Sequence, residues 1–200
     1  MIDRFYPVVP TADWVARLVP AGAKFIQLRI KEQPDAEIRR QVREAQAVCV
    51  KHGAQLIVND YWEIAIDEKC PWVHLGQEDL VEADVSAIRR AGLLLGVSTH
   101  DHAELDKGLA VDPDYVALGP IYPTLLKKMP FAPQGLDRIG EWRKLVGRRP
   151  LVAIGGLTLK RAMLCLKEGA DSAAVVDDIV NNAAPIVQAG KWIAQTRAAT

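Results

Sequence analysis

The chain has 200 residues, 50% of them hydrophobic, and its 25 Lys and Arg balance 25 Asp and Glu. That length suffices for a sizeable core, and we expect residues 1–200 to form one domain. A net charge of zero gives no indication of a nucleic-acid or membrane partner, although a local cluster of charges could still bind a small anion.

The cysteines and the N-terminus indicate the compartment. Cys49, Cys70 and Cys165 are dispersed without a C-x-x-C pair, and an odd number offers no disulfide framework. The first residues lack the basic start and apolar run of a signal peptide, and no apolar stretch approaches the ~18 to 20 residues of a membrane span. We therefore expect a reduced, cytoplasmic protein without a membrane partner, and the sequence leaves a homo-oligomer open.

Short apolar runs recur along the whole chain and predict strands. They cover residues 6–9, 25–28, 55–58, 72–75, 94–97, 115–118, 151–154 and 172–176. The stretches between them have helical spacing, as in Ile38, Val42, Ala45 and Val48, within a segment that starts after Pro34 and stops at Gly53. Strand therefore alternates with helix.

The character of the runs favours a closed (β/α)₈ barrel, that is, a TIM barrel with eight parallel strands. The runs are nearly continuously apolar, which is typical of parallel strands covered on both faces. Two hundred residues are few for this fold, which normally takes ~250, so the loops must be short. An open doubly wound sheet is the alternative, but no Gly-rich fingerprint follows the first run.

Polar residues and glycines follow most of the runs. In such a barrel the active site lies at the carboxyl ends of the strands, so these residues would meet at one rim. They are Arg29 and Lys31, Asn59 and Asp60, Gln77 and Asp79, Ser98, Thr99 and His100, Thr124 and Lys127, Gly155 and Gly156, and Asp177 and Asp178.

Some of these features also have a purely structural interpretation. Asn59-Asp60 and Asp79 are compatible with helix caps, because their side chains accept hydrogen bonds from free backbone N–H groups. Gly155-Gly156 is compatible with a simple tight turn. His74 lies within a strand run, and we expect it to be a packed residue rather than a ligand.

In combination, the residues at the rim predict a binding site for diphosphate and metal. Arg29 and Lys31 alone are compatible with ordinary surface charges. Asp60 and Asp79, however, lie on neighbouring strand ends without a His or Cys cluster, and carboxylates of this kind suit Mg²⁺ rather than zinc. With Lys127 added, the rim would clamp a pyrophosphate group.

A second phosphate site is expected on the glycine side of the rim. Glycines after the last two strands of such barrels often let backbone N–H groups hold a phosphate. The sequence shows no evident pair of nucleophile and base and no dinucleotide fingerprint. Chemistry by stabilisation of a leaving group, on two phosphorylated substrates, therefore fits best.

Seven motifs resemble those of one enzyme family, in its order and at its spacing over nearly the whole chain. They are "QLRIK", "NDYW", "VHLGQEDL", "LGVSTHD", "YVALGPIYPT..K", "APQGL" and "VAIGGL". The family is thiamine phosphate synthase, a (β/α)₈ barrel. It uses Mg²⁺ to join a hydroxymethylpyrimidine diphosphate to a thiazole phosphate, and it releases pyrophosphate.

The resemblance implies a role for each matching position. The pyrimidine diphosphate would be bound by Gln27, Arg29, Lys31, Asn59 and Lys127, with Ser98 at the pyrimidine. The expected catalytic residues are Arg29, Lys31, Asn59 and Lys127. The expected Mg²⁺ ligands are Asp60 and Asp79. The thiazole phosphate would be bound by Thr124, Gly156 and the backbone of Val176 and Asp177.

The sequence departs from the family pattern on the thiazole side. The family often has T-x-T-K after the sixth strand, where this chain has Leu126 in place of the second hydroxyl residue. The family usually has a small hydroxyl residue where this chain has Asp177, whose carboxylate would repel a phosphate unless it turns away.

Two alternative functions remain open. One is a non-catalytic paralogue that has lost the thiazole site. The other is the related thiazole tautomerase, which moves protons and has no diphosphate to hold.

Overall fold

A computed structural model describes residues 2–124 and 132–198, and the strands in these ranges form a closed parallel barrel in chain order. The last strand pairs with the first, so the open sheet is excluded. All eight predicted apolar runs are strands. These are β1 Phe5–Val9, β2 Phe25–Leu28, β3 Gln55–Asn59, β4 Trp72–Leu75, β5 Leu94–Thr99, β6 Tyr115–Leu118, β7 Leu151–Ile154 and β8 Ser172–Val175.

Helices connect the strands and cover the barrel. The described helices are α1 Ala12–Leu18, α2 Asp35–His52, α3 Trp62–Asp67, α4 Gln77–Glu82, α5 Val85–Arg90, α6 His102–Ala110, α7 Asp137–Leu145, α8 Leu159–Lys167, α9 Asp177–Val180 and α10 Pro185–Ala198. As predicted, α2 begins after Pro34 and ends at Gly53, which adopts the left-handed conformation of a C-terminal cap. None of these helices combines the length and the apolar character needed to cross a membrane.

The strands are apolar throughout because both of their faces are buried. One face packs against the helices, for example Val58 and Leu95. The other face fills the barrel, where Phe25 packs against Tyr6 and Trp72 with ring centroids 4.6 and 5.3 Å apart. This double burial explains the continuous apolar runs in the sequence.

The cysteines form no disulfide within the described residues. Cys49, Cys70 and Cys165 are all buried and free, as expected from their number. Burial raises the pKa of each thiol to about 12, so none of them is a reactive thiolate near neutral pH.

Gly96 makes room for the side chain of Tyr115 inside the barrel. In the register of β5 and β6, Gly96 lies opposite Tyr115. A Cβ atom at position 96 would lie 2.0 Å from Tyr115 Cζ and 2.4 Å from its hydroxyl oxygen. Only glycine therefore allows the Tyr115 ring to cross the barrel at this level.

We expect the Gly96→Ala substitution to lower the free energy of unfolding by about 3 kcal/mol, because the methyl group overlaps a packed ring. Gly140→Ala is the matched control: Gly140 lies in α7, and a Cβ there meets nothing within 4 Å. The control should gain up to about 1 kcal/mol from helix propensity. Urea unfolding of both variants checks this, and equal effects would contradict the close contact.

Candidate functional site

The carboxyl ends of the strands open into one cavity of about 1050 Å³. It is lined by eleven of the residues expected at the site, which lie on seven of the barrel's strands, β2 to β8, or in the segments that follow them. These are Gln27, Arg29, Lys31, Asn59, Asp60, Asp79, Ser98, Thr124, Gly156, Val176 and Asp177. Lys127 and Leu126 lie outside the described residues.

Hydrogen-bond donors and cations lie where β2 and β3 end. Lys31 Nζ donates to Asp60 Oδ2 at 2.9 Å. Arg29 has no carboxylate partner within the described residues. Asn59 is 5% exposed, and its Nδ2 has no hydrogen-bond partner in the described parts of the chain. A buried donor without a partner is costly, and an anionic ligand that accepted a hydrogen bond from it would relieve this cost.

Two carboxylates face one another beside these donors. Burial first, and then the neighbouring Asp60 carboxylate, raise the pKa of the Asp79 carboxyl above its ordinary value. Gly76 leaves space for this arrangement, because a Cβ atom there would lie 2.9 Å from Asp79 Oδ2. A cation between the two carboxylates would relieve their repulsion.

The carboxylate pair fits Mg²⁺ better than a metal held by protein alone. Asp60 and Asp79 offer hard oxygen ligands, and the described residues contain no group of three or more His, Cys, Asp and Glu side chains that could hold a metal. Mg²⁺ typically takes one or two carboxylates and completes its shell with water and substrate phosphates. The residues present therefore fit this ion.

The helix-cap interpretation of these residues is wrong. The N-cap of α3 is Tyr61, and the N-cap of α4 is Gly76. Asp79 lies inside the first turn of α4, and Asp60 pairs with Lys31. Their side chains thus line the cavity and do not cap the helices.

A pair of glycines forms the rim across the barrel from β3. Gly155 and Gly156 both have positive φ angles, of +100° and +62°. A Cβ atom at position 156 would lie 2.4 Å from the Pro123 carbonyl oxygen, so the turn after β7 packs closely against the segment after β6. The predicted tight turn exists, and it also lines the cavity next to Thr124.

The two aspartates after β8 have different surroundings. Asp177 Oδ1 accepts a hydrogen bond from Asn181 Nδ2 at 2.8 Å, one turn further along α9. Asp178 Oδ2 accepts from Trp192 Nε1 at 2.6 Å and from Gln188 Nε2 at 2.8 Å. The Asp177 carboxylate is thus directed along its own helix, and Asp178 anchors α10 to the barrel.

Sequence reasoning missed Arg161, which lines the cavity near the glycines. Its Nη1 donates to the Gly156 carbonyl at 2.7 Å, and its guanidinium lies 4.5 Å from the centre of the Tyr122 ring. Arg161 lies in the first part of α8 rather than at a strand end. The only sequence signal is its position shortly after Gly155-Gly156.

His74 is packed, as expected, but it also lines the cavity. Its ring is 7% exposed, and Nε2 lies 2.8 Å from Ser98 Oγ. Burial lowers the pKa of His74 to about 4, against the attraction of Asp60 and with a smaller contribution from Arg29. The imidazole is therefore neutral near pH 7 and supports Ser98 from below.

Comparison with known proteins places this arrangement in a family. A profile described as thiamine monophosphate synthase matches residues 5–179. A thiamine-phosphate synthase of Rhizobium etli is 57% identical over 98% of this chain and 96% of its own length. One of Neisseria meningitidis serogroup B is 49% identical over 91% of this chain and 89% of its own length.

The fold also matches a solved structure. The thiamine phosphate pyrophosphorylase from Pyrococcus furiosus superposes with a TM-score of 0.84 and covers 96% of both chains. Its sequence identity is 23%, so this likeness supports the barrel fold alone.

Asp178→Ala should lower the free energy of unfolding by about 2 to 3 kcal/mol, because the buried Trp192 indole N–H loses a charged acceptor. Asp177→Ala removes a carboxylate that accepts an exposed amide and should cost less than about 0.5 kcal/mol. Urea unfolding of the two variants compares them. Equal losses would contradict the anchoring role of Asp178.

Proposed function

Because the chain belongs to the thiamine monophosphate synthase family, we propose that it makes thiamine phosphate from two phosphorylated substrates. The substrates are 4-amino-2-methyl-5-hydroxymethylpyrimidine diphosphate and 4-methyl-5-(2-phosphoethyl)thiazole, and the second product is pyrophosphate. The chain is thus a transferase. The observation that carries the proposal concerns residues that line the same cavity as Gly156. They are Arg29 and the Asn59 amide, which lack a carboxylate and a hydrogen-bond partner, respectively, among the described residues, and the Asp60–Asp79 pair.

The reaction on this proposal begins at the pyrimidine methylene carbon. The bond from this carbon to the diphosphate oxygen breaks, and its electron pair leaves with the diphosphate. Negative charge therefore grows on the departing group, where Arg29, Lys31 and the Asn59 amide can donate hydrogen bonds to it. Groups that bind this charge more strongly as it develops lower the barrier. Lys127 is proposed to act with them.

Asp60 and Asp79 would hold Mg²⁺, which would neutralise charge on the diphosphate and orient it. The Lys31 ammonium already compensates one carboxylate, at 2.9 Å from Asp60 Oδ2. Lys31 could therefore move toward the diphosphate when a metal takes its place beside Asp60. The side chain is 50% exposed, which leaves it room to do so.

The second half of the reaction needs no base from the protein. The thiazole nitrogen donates its lone pair to the pyrimidine methyl cation, and a C–N bond forms without loss of a proton. The role of the protein is to hold the two reactants in line. Thr124, Gly156 and the backbone of Val176 and Asp177 are proposed to bind the thiazole phosphate. Arg161 lines the same cavity and donates to the Gly156 carbonyl.

Specific observations weigh against the two alternatives. A tautomerase has no diphosphate to hold, so it gives no reason for an unpartnered Asn59 beside a pair of carboxylates. The non-catalytic paralogue was favoured by Leu126 and Asp177. The Asp177 carboxylate bonds to Asn181, which removes one of these two arguments.

The direct test measures pyrophosphate release by the purified protein with Mg²⁺ and the pyrimidine diphosphate, with and without the thiazole phosphate. Release that requires both substrates and yields thiamine phosphate is the expected result. Tight binding of the diphosphate without release would favour the paralogue. No binding of the diphosphate would overturn the proposal.

Asn59→Ala should reduce kcat/KM by about 10- to 100-fold, because one hydrogen bond to the leaving group is lost. The change in the free energy of unfolding should stay within about 1 kcal/mol, because Nδ2 has no partner to lose. Steady-state kinetics and urea unfolding measure the two quantities. A large loss of stability with unchanged kcat/KM would assign Asn59 a structural role instead.

Asp79→Ala should abolish the dependence of turnover on Mg²⁺ and reduce kcat by at least about 100-fold, because one of two metal ligands is lost. Asp106→Ala is the control, since Asp106 is an exposed carboxylate on α6 away from the cavity. Rates measured over a series of Mg²⁺ concentrations check this. An unchanged Mg²⁺ response in Asp79→Ala would contradict its role as a ligand.

A further inference from the structure

A continuous chain of hydrogen bonds crosses the barrel beneath the cavity. Gln27 Nε2 donates to the Tyr6 hydroxyl at 2.7 Å, and the Tyr6 and Tyr115 hydroxyl oxygens lie 2.8 Å apart. The Tyr115 hydroxyl lies 2.8 Å from His74 Nδ1, and His74 Nε2 lies 2.8 Å from Ser98 Oγ. The two ends of the chain, Gln27 and Ser98, both line the cavity.

The middle of this hydrogen-bond chain is almost completely buried. Tyr6 is 1% exposed, Tyr115 is fully buried and His74 is 7% exposed. Burial raises the pKa of both phenols well above the ordinary value, so each keeps one hydrogen to donate. The hydrogens on Tyr6, Tyr115 and His74 must therefore find their acceptors within the hydrogen-bond chain.

Only one direction of hydrogen-bond donation between Gln27 and Ser98 gives every buried hydrogen an acceptor. The Gln27 amide donates to the Tyr6 oxygen, so the Tyr6 hydrogen goes to Tyr115 and the Tyr115 hydrogen goes to His74 Nδ1. His74 then carries its proton on Nε2, and this N–H group donates a hydrogen bond to Ser98 Oγ. The opposite tautomer of His74, with its proton on Nδ1, would turn the Tyr115 hydrogen toward Tyr6. The Tyr6 hydrogen would then be buried without an acceptor.

This direction decides what the two ends offer to a ligand. Ser98 Oγ accepts from His74, so its own hydrogen is left to donate into the cavity. Gln27 uses its amide nitrogen in the chain, and among the described residues none donates to its carbonyl oxygen. The floor of the cavity thus presents an acceptor at Gln27 and a donor at Ser98.

We propose that Tyr6, Tyr115 and His74 are positioning residues that give the floor this polarity, and that the polarity selects an aminopyrimidine over an oxopyrimidine. The proposal deepens the proposed function and rests on it for the identity of the ring. An exocyclic amino group donates to Gln27, and an unprotonated ring nitrogen accepts from Ser98. A 4-oxo ring reverses both: its oxygen faces the Gln27 oxygen, and its ring N–H faces the Ser98 hydroxyl hydrogen.

The first test reads the tautomer of His74 without any substrate. The protein has 4 histidines, so ¹⁵N NMR of protein labelled at histidine gives few signals. The His74→Gln variant assigns the two nitrogen signals of His74. In the free protein we expect the proton on Nε2 and an unprotonated Nδ1. A proton on Nδ1 would overturn the proposal.

The second test compares ring selection in Tyr115→Phe and wild type. Calorimetry with Mg²⁺ gives the Kd of the 4-amino diphosphate and of its 4-oxo counterpart. Wild type should favour the amino compound by about 100-fold or more, since reversal leaves two polar groups mispaired. Tyr115→Phe keeps the ring but frees His74 to change tautomer, so the preference should fall on the order of tenfold.

Tyr61→Phe is the matched control, because it removes a tyrosine hydroxyl outside the chain, 3.5 Å from the Ile30 carbonyl. Its preference should equal that of wild type. A Tyr115→Phe protein that binds the amino compound with unchanged preference would overturn the proposal. A wild-type protein that binds neither compound would overturn the proposed function instead, and the His74 tautomer would still decide the direction of the chain.

Discussion

Closure of the parallel sheet is the constraint on which the rest of the structure depends. Because β8 pairs with β1, all eight strands end at one rim, and residues as distant in sequence as Gln27 and Asp177 line the same cavity. The interior below that rim is filled by aromatic side chains from β1, β2, β4 and β6. This packed floor gives the rim a rigid base, and rigid support is what precise placement of polar groups requires.

The rim concentrates groups that are costly in the empty protein. Asn59 has a buried donor without a partner in the described residues, and the pKa of Asp79 is raised by burial and by Asp60. Such groups destabilise the fold slightly, and the large apolar core offsets them. On the proposed function, a diphosphate and a cation in the cavity would make these interactions favourable.

Local sequence signals predicted the barrel well because buried parallel strands and capped helices are local patterns. The eight apolar runs and the limits of α2, set by Pro34 and Gly53, are of this kind. The site residues required the strand-end rule and the family resemblance together. The direction of the Asp177 side chain, the contact of Asp178 with Trp192 and the hydrogen-bond chain had no local signal. They join residues far apart in sequence, as in the 109-residue separation of Tyr6 and Tyr115.

Titration calorimetry with pyrophosphate measures most directly whether the rim binds a diphosphate together with Mg²⁺. We expect one binding site per protein molecule, with an affinity that depends on Mg²⁺ and with competition by the pyrimidine diphosphate. Equally strong binding without Mg²⁺, or no binding in its presence, would show that the rim is not a Mg²⁺-diphosphate site.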